Sequence, residues 1–102
     1  MENVTMTYEY FIDEVKTYIS DLNELDMIKK AYDYAYQVHK GAKRLSGDDY
    51  IDHPLNTAYI LTKIHSDYKT LCAALLHEVI KDGGVTEEEL SKSFDAEIVS
   101  LV

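Results

Sequence analysis

The sequence predicts an all-α fold, a compact bundle of five or six helices around a buried central one near residues 68–81. Three observations carry this. The 102 residues hold one proline and four glycines, too little punctuation for a many-stranded β fold. Apolar residues recur at helical spacing in segment after segment. Around Leu71–Leu76 the chain is apolar nearly all round, as a helix enclosed by others must be. The length is that of a single domain.

The first helix is expected over Tyr8–Ile19, where Tyr8, Phe11, Ile12, Val15, Tyr18 and Ile19 share one face and acids point outward. Leu25–His39 follows, with Leu25, Ile28, Ala31, Tyr32, Ala35 and Val38 facing inward and Asn23 as its cap. The alternating Tyr32, Tyr34 and Tyr36 resemble a strand, but Ala31 and Ala35 between them favour helix; the nine tyrosines are read as core and rim. Lys40–Asp52 reads as a loop: Gly41 can cap the second helix, Ser46-Gly47-Asp48-Asp49 is turn chemistry, and Tyr50–Ile51 suits a short extended piece. Pro54 fits the first position of a third helix, which runs to about Ile64 with Leu55, Ala58, Leu61 and Ile64 inward.

Ser66 or Asp67 caps the central helix, Tyr68–Lys81, and Gly83-Gly84 stops it. Thr86-Glu87-Glu88-Glu89 is a capping box that starts a helix through Phe94. Ala96–Val102 begins another helix that is still apolar at its last residue. The expectation is one domain over residues 1–102, the N-terminal fragment of a longer protein.

Composition excludes several functions. No apolar run approaches the ~18 residues a membrane span requires, and Met1–Tyr10 lacks the regions of a signal peptide. Cys72, the single cysteine, sits in an apolar run and reads as a buried thiol in a reducing cytoplasm. The net charge of −9 argues against direct nucleic-acid binding. The charge is uneven, however. Met1–Met27 carries −6 and Asp82–Val102 carries −5, whereas Ile28–Lys81 carries +2. Lys40, Lys43 and Arg44 cluster there beside His39, where a small polyanion could be held; a solvated loop with scattered lysines explains the charge equally well.

The chemistry concentrates in Leu75–Asp82, LLHEVIKD, where His77 and Glu78 interrupt an apolar helix. Imidazole and carboxylate are costly to bury side by side unless paired, hydrogen-bonded or metal-bound. Adjacent helical residues diverge by about 100 degrees, yet both side chains can reach one ion lying against the helix. Asp82 lies one turn beyond Glu78, and Lys81 one turn beyond His77. His53, at a helix start, can face the same point. Such a set suits Mn²⁺, Fe²⁺ or Zn²⁺, and a bound ion lowers the pKa of its water and polarises a phosphoryl oxygen. Asp82 could orient or deprotonate that water. Taken alone, His77 reads more simply as a satisfied core histidine; with Glu78, Asp82 and His53 the two readings balance. His39 and His65 are read as structural or surface residues, His39 also as a neighbour of a phosphate.

The string HKGAKRLSGDDYIDHPL at His39–Leu55, followed by AALLHEVIKD at Ala73–Asp82, resembles the hydrolase half of the RelA/SpoT-type (p)ppGpp synthetase/hydrolases, an all-helical branch of the HD phosphohydrolase superfamily. The resemblance extends from about Ile28 to Val102. It implies removal of pyrophosphate from the 3′ position of ppGpp or pppGpp, usually with Mn²⁺. It also implies that His53 and His77 are metal ligands, that Arg44 and Ser46, with Lys43 nearby, line the nucleotide pocket, and that a further ligand lies beyond Val102.

Three positions depart from the family pattern. Glu78 stands where the family has a ligand Asp, and the extra methylene moves the carboxylate outward by about 1.5 Å, against a ligand tolerance of about 0.2 Å. The catalytic Glu-Asp pair falls on Lys81 and Asp82, so one acid is kept and the other becomes a cation. Leu45 replaces a basic residue. Two functions follow: a metal-dependent 3′-pyrophosphohydrolase with Lys81 and Asp82 at the reacting water, or a non-catalytic version that senses nucleotide or regulates a downstream synthetase.

Overall fold

A computed structural model describes residues 7–39, 52–81 and 84–102; the side chains of residues 52, 53 and 81 lie outside that description. The described residues form six helices and no strand: α1 (Tyr8–Val15), α2 (Leu22–His39), α3 (Asp52–Thr62), α4 (Tyr68–Lys81), α5 (Glu87–Ser91) and α6 (Ala96–Leu101). This is the all-α bundle expected, and α4 has the expected bounds.

Short polar side chains start most of these helices by accepting backbone N–H groups that have no partner within the helix. Thr7 accepts from Tyr10 at 3.1 Å in α1, and Asp21 from Asn23 at 2.8 Å in α2. Asp67 accepts from Thr70 at 2.8 Å in α4, and Asp95 from Ile98 at 3.0 Å in α6. Thr86 accepts from Glu89 N–H at 3.1 Å, the forward half of the expected capping box.

Several boundaries differ from expectation. Asp21, not Asn23, caps α2, which starts three residues earlier than its periodicity suggests. Helix α1 ends at Val15 and continues as turns, α5 ends at Ser91, and α3 begins at Asp52, so Pro54 is its third residue. Proline is still tolerated there because N–H groups of a first turn have no intrahelical acceptor. Gly84 takes φ 75, the left-handed conformation that glycine adopts without strain, as Val85 N–H reaches back 3.1 Å to the Val79 carbonyl. The loop features expected at Lys40–Ile51, including the Gly41 cap, lie outside the described residues.

Helix α4 packs against α2, α3 and α6 and is the centre of the bundle. Leu71 through Leu76 are all buried, and Leu71, Leu75, Leu76 and Val79 meet Phe11, Val15, Ile28, Ala31, Leu55, Ala58, Leu90, Phe94 and Ile98 in one core. Two lysines tie the C-terminal segment to it. Lys30 donates to the Ser93 carbonyl while lying 5.1 Å above the Phe94 ring, and Lys69 pairs with Glu97.

Candidate functional site

The geometry of the site follows from the α3–α4 hairpin. Residues 63–67 turn the chain, and the two helices pack on each other, so they run antiparallel. His53 lies nine residues before the end of α3 at Thr62; His77 lies nine residues after the start of α4 at Tyr68. At 1.5 Å per residue, both stand about 13 Å from the turn, so the first turn of α3 and the last turns of α4 are level. The ring of His53 is outside the described side chains.

His77 and Glu78 are brought together and differ sharply in exposure. The His77 side chain is 55% exposed and the Glu78 side chain 8%, with Nδ1 and Oε1 3.4 Å apart. An N–H···O hydrogen bond is shorter, typically about 2.7–3.2 Å. Two donors each about 2.1 Å from one ion, at the tetrahedral angle, lie about 3.4 Å apart. The separation is that of a close ion pair and also matches two donors on one cation, and the N/O donor set suits a divalent one. Among the described residues there is no group of three or more His, Cys, Asp or Glu side chains arranged to hold a metal. A complete cage requires further donors, and His53 is the one that the sequence nominates at this level.

A groove of about 270 Å³ runs from His77 back along the hairpin, lined by Thr57, Leu61, Thr70, Ala73, Ala74 and Leu101. Thr57 and Thr70 are lining residues that the sequence does not nominate. Thr57 had a signal, since it lies one turn after His53 and so on the same side of α3; Thr70 had none before the hairpin register was known. Lys43, Arg44, Ser46 and Asp82 lie outside the described residues, and so does the Lys81 side chain. His39, read as structural or surface, is buried at the end of α2, with 4% exposure. Cys72 is a buried thiol, pushed up to about 12 by desolvation, and takes no part in the site. No described helix is long and apolar enough to cross a membrane.

Residues 31–102 match the HD domain family. A protein named GTP pyrophosphokinase rsh, from Brucella melitensis, is 45% identical over 91 residues, which is 89% of this chain and 12% of that protein. Proteins named guanosine-3′,5′-bis(diphosphate) 3′-pyrophosphohydrolase are similar too. That of Spiroplasma citri is 45% identical over 95 residues, covering 93% of this chain and 13% of its own. That of Borreliella burgdorferi is 41% identical over 92 residues, covering 90% and 14%. The chain thus spans about an eighth of the length of the relatives it matches.

Proposed function

Because the chain belongs to the HD domain family, and to its RelA/SpoT type, we propose that it is a metal-dependent 3′-pyrophosphohydrolase domain acting on ppGpp or pppGpp. The observation that carries the proposal is the His77–Glu78 pair, 3.4 Å apart on the helix level that α3 reaches with its first turn.

In this reading His53, His77 and Glu78 hold a divalent cation, Mn²⁺ by the family's habit. When bound, the ion supplies Lewis acidity toward a phosphoryl oxygen and a water of lowered pKa. The chain's own groups do the rest. The Asp82 carboxylate accepts a proton from water at the 3′-phosphate. The Lys81 ammonium, a cation where the family has an acid, neutralises phosphate oxygens. Arg44, Ser46 and Lys43 receive the nucleotide: the guanidinium forks onto a phosphate and the hydroxyl donates to it. The acidic ends of the chain exclude polyanions in general, which leaves the +2 middle segment as the place for a small anionic substrate. The substrate and the single buried thiol both point to the cytoplasm.

The competing reading is a non-catalytic domain that binds the nucleotide and regulates. It draws on Lys81, since a cation beside the site repels a metal and attracts phosphate. Mn²⁺-dependent release of pyrophosphate from ppGpp, lost in His77→Ala, supports the hydrolase. Binding of ppGpp without turnover at any Mn²⁺ concentration overturns it in favour of the regulatory reading.

A further inference from the structure

The match to the HD domain family begins at residue 31, so α1 and the turn after it precede the matched segment. They are nonetheless fastened to α3 at successive points along one side. The Tyr10 ring meets Tyr59 at 5.4 Å between centroids. Glu14 pairs with Lys63 at 3.3 Å, and the same ammonium lies 4.7 Å over the Tyr59 ring. Tyr18 stacks on His65 at 4.5 Å and 16 degrees, and its hydroxyl donates to the Ser66 carbonyl at 2.8 Å.

His65 has φ 52, the one left-handed non-glycine among the described residues. Its N–H bonds the Thr62 carbonyl at 3.0 Å and that of Ser66 bonds the Leu61 carbonyl at 3.3 Å, closing the end of α3 in a turn that usually demands glycine. A bulky residue persists in that conformation when its surroundings hold it there. Here the surroundings include a stacked tyrosine from the turn that follows α1.

We infer that the segment from Tyr10 to Tyr18 is a positioning strap, which fixes how α3 lies along α4 and so brings the turn carrying His53 level with His77. The inference rests on the proposed metal site for its functional consequence. Phe11, Ile12 and Val15 seat this segment in the same core as α4, so sliding or rolling α3 against α4 breaks the Tyr59, Lys63 and His65 contacts together, whereas on the outward face of α3 Ile60 is 67% exposed.

The test uses the full chain with the triple substitution Tyr10→Phe, Glu14→Gln and Tyr18→Phe, which spares the apolar core, and separately His65→Gly, which keeps the left-handed backbone and deletes the ring. Thr86→Ala, at the cap of α5, serves as a destabilised control remote from α3. Mn²⁺ alone is titrated by electron paramagnetic resonance, and amide exchange is followed in every helix. The expected result is Mn²⁺ binding weakened roughly three- to tenfold in both strap variants, less than the roughly 10–100-fold that follows losing a group bonded to a ligand. Amides of Tyr59–Thr62 should exchange roughly tenfold faster while those of α4 and α6 hold, and the control should bind as the wild type does. Unchanged binding with unchanged α3 exchange overturns the strap, as does acceleration spread evenly over all helices. If the wild-type protein binds no Mn²⁺, the metal reading falls, and exchange in α3 by itself still upholds or overturns the strap.

Discussion

The two halves of α4 place opposite demands on one helix. From Leu71 to Leu76 every side chain is buried, whichever way it points, because α2, α3 and α6 surround that stretch. At His77 the enclosure opens, and an imidazole 55% exposed stands beside a carboxylate only 8% exposed. The first half contributes stability alone, and the second sets the candidate metal donors beside a core residue, Val79. Function can occupy a helix end at little risk to the fold because the apolar half already anchors the element.

That division makes graded predictions. The largest loss of stability should come from Leu75→Ala, by about 2–5 kcal/mol, since a fully buried leucine leaves a cavity in rigid surroundings; denaturant unfolding measures it. His77→Ala should cost no more than about 0.5 kcal/mol in the same assay. Its Mn²⁺ affinity, by titration calorimetry, should nevertheless fall more than the roughly 10–100-fold expected of a residue that only orients a ligand. Equal stability losses in the two variants would erase the distinction between the halves.

A smaller effect belongs to the start of α4. Asp67→Ala should cost about 1 kcal/mol at neutral pH. The Thr70 backbone N–H holds the Asp67 carboxyl below its ordinary value. A depressed folded-state value means that the cap contributes fully above the ordinary carboxylate range and fades as pH falls through the lower folded value. The gap between wild type and variant should therefore close on acidification, followed by thermal melts from pH 7 to pH 2.

A last effect, confined to alkaline pH, concerns Cys72. Burial pushes its thiol up to about 12, above the ~8.5 of a free thiol. A raised folded-state value gives a contribution that is intact below the unfolded value and lost as pH rises through the folded one. Wild type should lose stability between about pH 8.5 and 12 more steeply than Cys72→Ala. The native thiol should also resist alkylation until the chain unfolds, which a mass-spectrometric time course checks.

Most of the helical framework was legible locally. Spacing identified the helical stretches, their apolar faces marked the core, and Ala31 and Ala35 correctly outweighed the strand-like alternation of three tyrosines. The errors have local causes as well. Asp21 outcompeted Asn23 because its carboxylate accepts two backbone N–H groups, of Asn23 and Glu24. Ile64 continues the apolar period of α3, but the helix stops at Thr62 and the left-handed His65 turns the chain, leaving Ile64 76% exposed. Of the site, the adjacency of His77 and Glu78 was readable. Their contrasting burial was not, because it depends on which neighbours flank each side of α4.

What the chain determined by itself is what acts within a few residues: helix period, caps at Asp67 and Thr86, and an apolar stretch too continuous to lie anywhere but the centre. Only the tertiary structure decided that Tyr18 would bond Ser66, 48 residues away, and that Thr57 would share a groove with His77. Hydrogen bonds within a turn are specified by neighbours in sequence. Contacts between helices depend on packing that minimises exposed apolar surface over the whole molecule, which no local window contains.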